Sequence, residues 1–226
     1  MEASEGSEDS PDRASHTSAR THYDATSTGV TGPAIQARVP PYKRPDHFTK
    51  KAKAQGYAAR SVFKLEELDQ RFKLTRRGGK AVDLGCFPGS WSRYLLERGM
   101  SVVGVDLQAP ALTGGTWIAR SAMEVEAVEL GRDIDLFVSD MAPNTSGDRF
   151  TDHARQIRLA ERALLLALAT LRPGGAFVVK VFDGEDAPAY TRSVESRFAQ
   201  VKRVKPEATR DRSVEFFLVG VGFRPE

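Results

Sequence analysis

Residues 81–106, AVDLGCFPGSWSRYLLERGMSVVGVD, decide the fold. Ala81–Leu84 and Ser101–Val105 are short apolar runs that read as buried strands, with a helix-sized segment from Trp91 to Arg98 between them. A strand, a helix and a strand in that order predict a right-handed parallel unit. The turn after the first strand, Gly85-Cys-Phe-Pro-Gly-Ser90, places two glycines where the chain swings into the helix. Gly85 and Gly89 let backbone approach a ligand without Cβ collisions, and the start of the helix offers free N–H groups. Asp106 ends the second strand, where a carboxylate can accept both hydroxyls of a ribose. Turn and acid together predict a nucleoside-binding edge.

Two ligand classes use such an edge. A dinucleotide needs G-x-G-x-x-G so that its pyrophosphate can rest on the helix, and this chain has G-C-F-P-G-S there instead. That departure disfavours a nicotinamide dehydrogenase. An adenosyl ligand without phosphates, such as S-adenosylmethionine, needs only the close backbone approach and the ribose acid.

The same grammar continues outward. A helix is expected from Ser61, with Val62, Leu65, Leu68 and Phe72 on one face and Arg76-Arg-Gly-Gly79 as its end. A strand over 135–139 leads to a helix from His153 to Leu171, whose core stripe is Ile157, Leu164, Leu168 and Leu171. Pro173-Gly-Gly175 is expected to stop that helix before a strand over 176–182. A helix over 188–198 and strands over 201–204 and 214–219 complete the pattern. The expected fold is therefore α/β, doubly wound, with a mostly parallel sheet and helices on both faces.

Composition bounds the rest. The 226 residues are 40% hydrophobic, which suits one domain with a sizeable core plus a tail. Residues 1–40 hold eleven Ser or Thr and no Leu, Phe or Trp, so they are expected to be disordered. Pro40, Pro41 and Pro45 mark a linker. Glu2, Glu5, Glu8, Asp9 and Asp12, with no basic residue among them, argue against a presequence. No apolar run approaches the roughly 20 residues of a membrane span. Cys86 is the only cysteine and the four histidines share no ligand spacing with it, so neither a disulfide framework nor a metal site is expected. A reducing cytoplasm is the expected setting. Net charge is +3, but residues 43–77 carry eleven Lys or Arg against four Asp or Glu, a concentration that suits a polyanion.

Four polar residues do not fit their surroundings. Asp140 follows the apolar run 135–138 and opens the loop Ser139-Asp-Met-Ala-Pro-Asn144, at the edge where open α/β sheets bind ligands. Lys180 interrupts Phe177-Val-Val-Lys-Val-Phe182, where a cation is costly unless paired. Chain order makes those two strands neighbours, so Asp140 and Lys180 can pair. Glu215 repeats the anomaly in Val214-Glu-Phe-Phe-Leu218, and Lys64 sits in the basic helical segment. Spacing alone does not unite the four.

Five segments supply the template: ARSVFKLEELD (59–69), VDLGCFPGSWS (82–92), SDMAPNTSG (139–147), LRPGGAFVVKVFDGE (171–185) and KPEATRDRSVEFF (205–217). In this order they resemble the FtsJ/RrmJ (RlmE) ribosomal RNA 2′-O-ribose methyltransferases, over residues 46–222. The resemblance implies a Rossmann-like class I S-adenosylmethionine-dependent methyltransferase fold, with residues 46–226 as the methyltransferase domain and 1–45 as tail and linker. It implies a catalytic set at Lys64, Asp140, Lys180 and Glu215, and cofactor contacts at Gly89, Trp91, Asp106 and Asp140, to which the turn adds Gly85. It further implies S-adenosyl-L-methionine as cofactor and a uridine of large-subunit (23S) ribosomal RNA in the assembled 50S subunit as target, for a monomer acting in the cytoplasm. Lys180 then either accepts the proton of the 2′-hydroxyl or, as a cation, orients it. The basic segment, with Arg155, Arg158, Lys202, Arg203 and Lys205, is the expected source of phosphate contacts.

Two departures stand out. The family turn APGGW reads Phe87-Pro-Gly-Ser-Trp91 here, and the small Ser90 should preserve it. The acid that holds the adenine amino group in the family falls within Ala119-Arg-Ser-Ala-Met123, nearest to Ser121, so cofactor affinity is expected to be lower unless Glu124 substitutes. A small-molecule methyltransferase and a noncatalytic ribosomal RNA-binding or assembly protein are the competing readings; the first would not need the basic segment.

Overall fold

In the computed structural model, which describes residues 47–210 and 213–225, two helices precede the sheet: α1 (His47–Ala54) and α2 (Val62–Phe72). The expected tail and linker, 1–45, lie outside the described residues. The deciding segment folds as β1 (Lys80–Leu84), α3 (Ser90–Glu97) and β2 (Ser101–Asp106), with β1 and β2 parallel and Ala81 opposite Val102. There follow β3 (Thr116–Ala119), α4 (Ala127–Leu130), β4 (Ile134–Ser139), α5 (Arg149–Thr170) and β5 (Leu171–Phe182). The chain ends with α6 (Ala187–Glu195), β6 (Phe198–Val204) and β7 (Glu215–Phe223).

The strands form one seven-stranded sheet in the order β3-β2-β1-β4-β5-β7-β6. From β3 to β5 all neighbours are parallel, and β7 is inserted antiparallel between β5 and β6. Strand order reverses between β1 and β4, which opens a crevice at their carboxyl ends, as the alternation in the sequence predicted.

Period-two alternation sorts side chains between two layers. On β4, Leu136 and Val138 pack with Ala52, Leu65, Leu68 and Leu95 of α1, α2 and α3. Phe137 joins the opposite cluster, with Ile157 and Ala160 of α5 and Tyr190 and Val194 of α6. Phe137, Leu65 and Leu68 are fully buried, each contributing about 1.5–3 kcal/mol of transfer free energy.

Several expected boundaries move, each for a local reason. α2 ends at Phe72, well before Arg76, because Lys73 adopts a left-handed conformation (φ 56°) and donates its N–H to Asp69 O. The Asp69 carboxylate then accepts from Thr75 N and Thr75 Oγ1, both at 2.8 Å, which holds the exit. α5 begins at Arg149 rather than His153 because Asp148 caps it, accepting from Phe150 N and Thr151 N. Pro173-Gly-Gly175 does not separate helix from strand: β5 starts at Leu171, paired with Ile134, and the register shifts before Leu136 meets Ala176. The last two strands are longer than expected because they pair with each other from Phe198–Phe223 to Val204–Phe217.

Candidate active site

The crevice contains a cavity of about 350 Å³ whose lining includes Gly85, Phe87, Asp106, Leu107, Ser121 and Asp140. Gly85 has φ +81°, and a Cβ there would stand 3.0 Å from the main-chain nitrogen of Met141, so only glycine admits this approach of β1 to the loop after β4. Asp106 is held at the rim: its Oδ2 accepts from Phe87 N at 3.1 Å and its Oδ1 from Gln108 N at 3.4 Å. Asp140 reaches the cavity from the end of β4, and its N–H donates to Leu84 O at 3.2 Å.

Gly89 and Trp91 occupy a different position from the one expected of cofactor contacts. Neither lines the cavity. Gly89 (φ +104°) is packed beneath the loop after β2, where a Cβ would meet Leu112 Cδ1 at 2.8 Å and Pro110 Cβ at 2.9 Å. Trp91 is buried with α2, its Nε1–H donating to Ser61 O at 2.7 Å and its ring 5.8 Å from that of Phe217. The first turn of α3 faces the α2 layer, which directs the indole away from the crevice. Ser121 lines the cavity and Glu124 does not; Glu124 meets Ser121 only through its N–H to the Ser121 carbonyl, at 2.9 Å.

Strand register assembles the four out-of-place polar residues. Lys180 on β5 is opposite Phe217 on β7, and Phe182 is opposite Glu215. Lys180, Phe182, Glu215 and Phe217 therefore share one face, the one covered by α2, with Lys180 and Glu215 as diagonal neighbours. Lys64 comes down from α2 onto the same spot, where it donates to Glu215 Oε1 and lies 5.6 Å from the centre of the Phe217 ring. Lys180 Nζ donates to Asp140 O at 2.6 Å and is 3.1 Å from Asp140 Oδ1. The second approach is an ion-pair distance without hydrogen-bond alignment, and Asp140 Oδ1 remains buried with no hydrogen-bond partner. Both lysines are buried, their side chains 9% and 7% exposed, so their charges act through little water.

The electrostatics are local and opposed. Burial by itself would raise the Glu215 carboxyl, but the charge and hydrogen bond of Lys64, aided by the charge of Lys180, hold it below the usual carboxylate range. Asp83, in the middle of the deciding segment, is fully buried. Burial pushes its carboxyl up to about 7; the hydrogen bond from Ser92 opposes the rise, while Asp140 and Asp106 add to it. Its Oδ2 accepts from Ser92 Oγ at 2.6 Å and its Oδ1 has no partner.

Sequence reasoning missed the residues that hold this machinery. Asp152 on α5 accepts from Ser146 N at 2.7 Å and Gly147 N at 3.2 Å, tying down the loop that follows Asp140. Gln156, one turn on, donates from Nε2 to Lys180 O at 2.7 Å. The available signal was two polar residues four apart on the buried stripe of an amphipathic helix. Among the described residues no group of three or more His, Cys, Asp or Glu side chains is arranged to hold a metal ion. Among the same residues no helix is long and apolar enough to cross a membrane.

Comparison with known proteins places this geometry. A structure from Plasmodium falciparum described as a ribosomal RNA methyltransferase superposes with a TM-score of 0.67 at 23% identity, covering 75% of this chain and 100% of that one. A TehB-like SAM-dependent methyltransferase from Corynebacterium glutamicum gives 0.51 at 19% identity, covering 76% and 93%. Sheet order and these neighbours define the Rossmann-like class I methyltransferase fold. Residues 57–223 match the family model described as FtsJ-like methyltransferase. In Sorangium cellulosum, a relative named Ribosomal RNA large subunit methyltransferase E is 47% identical over 189 residues, 80% of this chain and 89% of the relative. Its namesake in Desulfatibacillum aliphaticivorans is 43% identical over 184 residues, 77% and 89% of the two chains. The chain belongs to the FtsJ-like methyltransferase family.

Proposed function

We propose that the protein transfers the methyl group of S-adenosylmethionine to a ribose 2′-hydroxyl of RNA, at a uridine of 23S ribosomal RNA in the assembled large subunit. The observation that carries this reading is the position of Lys180: it touches Asp140, which walls the crevice cavity, and shares a face with the Lys64–Glu215 pair. The names of the relatives supply the ribosomal target.

The crevice fits the cofactor. Gly85 leaves room that any side chain would fill, Asp106 presents a fixed carboxylate suited to a ribose diol, and Asp140 Oδ1 is a buried acceptor in need of a donor. When bound, S-adenosylmethionine supplies an electrophilic methyl group. Gly85, Asp106 and Asp140 bind and orient it, with Gly89 and Trp91 shaping the turn from behind.

The protein's remaining task is the 2′-hydroxyl, a weak nucleophile at neutral pH. Lys180 stands in the role of donor, with a carbonyl and a carboxylate of Asp140 around its Nζ. That setting favours orienting the hydroxyl and stabilising the developing alkoxide over proton abstraction; solvent takes the proton once the new C–O bond forms. Lys64 and Glu215 keep the cluster electrically balanced and frame the ribose. Residues 46–226 act as the catalytic domain, as a monomer in the cytoplasm. The decisive experiment is labelled methyl transfer to large ribosomal subunits from cells lacking the protein, with the modified nucleotide mapped; no label in RNA would remove this reading.

A further inference from the structure

We infer that a second cleft, beside the Lys64–Glu215 pair, is a phosphate subsite in which Arg60 and Arg210 hold the 3′-phosphodiester of the target nucleotide. The inference rests on the methyl-transfer reading and extends it to how the substrate is oriented. The cleft measures about 260 Å³, and its lining includes Arg60, Ser61, Lys64, Arg210, Ser213 and Glu215. Since Lys64 and Glu215 are paired with each other, the two arginines leave the cleft with an excess of positive charge. A guanidinium presents a planar fork of donors suited to phosphate oxygens, and one on each wall can grip a phosphodiester between them.

The walls are built rather than incidental. Ala59 N donates to Ser90 Oγ at 2.7 Å and Ser61 O accepts from Trp91 Nε1 at 2.7 Å, so the backbone is fastened on both sides of Arg60 to the first turn of α3. This explains what Ser90 and the inward-turned Trp91 do. On the other wall, Ser213 O accepts from Lys205 Nζ at 2.9 Å and Ser213 Oγ accepts from Glu215 N at 3.2 Å.

Charge decides which way the nucleotide lies. The 3′-phosphodiester is attached to the carbon next to the one bearing the 2′-hydroxyl, so a hydroxyl at Lys180 brings a phosphate close to one side of that lysine. On the crevice side stand the carboxylates of Asp106 and Asp140. On the Glu215 side stand Arg60 and Arg210. Repulsion on one side and attraction on the other select the second orientation.

The test is methyl transfer from labelled S-adenosylmethionine to large ribosomal subunits from cells lacking the protein, with Arg60→Gln and Arg210→Gln variants. For each, KM for the subunit should rise about tenfold, the worth of one charged hydrogen-bond contact. The slope of log KM against log salt should become shallower by about 1, as for one lost phosphate contact. Both kcat and calorimetric cofactor affinity should stay within about twofold, the split expected when uniform binding is lost. Arg192→Gln on the exposed surface of α6 removes the same charge and should leave KM unaltered. Unchanged KM and salt slope in both cleft variants overturn the subsite while leaving methyl transfer intact, as does an equal loss in Arg192→Gln. Failure of the wild-type protein to methylate the subunits overturns the functional reading and the subsite together. Should Arg60→Gln not fold, Arg210→Gln decides alone, because Arg210 is exposed.

Discussion

Lys180 is held by Asp140 twice, through the main-chain carbonyl at 2.6 Å and through Oδ1 at 3.1 Å. The backbone contact survives any side-chain substitution at 140, whereas the carboxylate contact does not. Asp140 thereby joins the wall of the crevice to the donor that faces the substrate, and the two residues should separate cleanly in kinetics.

Lys180→Ala should lower kcat by about 10²–10³-fold or more, the usual cost of losing a donor to a developing oxyanion, with cofactor affinity within about twofold. Asp140→Asn should weaken both cofactor binding and turnover. Calorimetry with S-adenosylmethionine and single-turnover methyl transfer measure the two effects; equal losses of cofactor affinity in both variants would contradict the division of roles.

The Lys64–Glu215 pair is nearly buried, with side-chain exposures of 9% and 15%. A double-mutant cycle with Lys64→Met and Glu215→Gln, followed by denaturant unfolding, should give a coupling of about 1–3 kcal/mol. Because Glu215 is held below its ordinary range, its contribution to stability is present above the unfolded-state value and is lost as pH falls through the lower folded-state value. Glu215→Gln should flatten that acid limb.

Ser121 lies in the cavity wall where the family places an acid, and Glu124 lies outside it. Ser121→Asp should therefore tighten S-adenosylmethionine binding about tenfold, the worth of one charge-assisted hydrogen bond. Glu124→Gln should leave it unaltered. Calorimetry on both variants checks the pair, and a loss of affinity in Glu124→Gln would give the role to Glu124.

Asp83 keeps its proton up to about 7 when folded, against an ordinary value of 3.8. Its contribution to stability is thus complete below the unfolded-state value and declines as pH rises through the folded-state value. Asp83→Asn, which cannot ionise, should gain stability relative to wild type as pH rises from about 4 to about 7. Paired denaturant titrations across that window measure it, and a constant difference would show that Asp83 does not titrate there.

Much of the fold was legible because it is written locally. The apolar runs of β1 and β2, the glycine turn and the intervening helix are each a short-range pattern. The elements that escaped carry weak patterns. α1 is rich in lysine and buries only Ala52; β3 is a four-residue edge strand that is half exposed, formed because β2 offers it a partner. α4 has only four residues and depends on the reciprocal Glu126–Glu129 capping box. Trp91 misled for the same kind of reason: its place beside the glycine turn is visible in the chain, but the layer it faces is not.

The candidate site divides along the same line. Composition alone marked Asp140, Lys180 and Glu215 as chemically out of place, since a charged residue in an apolar run is costly to bury and must have a partner. Which partner each one has follows from contacts between distant parts of the chain. Lys64 and Glu215 are 151 positions apart, and they meet because β7 inserts antiparallel beside β5 in a register that puts Glu215 and Lys180 on the face beneath α2. Periodicity assigns a residue to one face or the other, but strand order and register are settled by packing the whole sheet between its two helical layers.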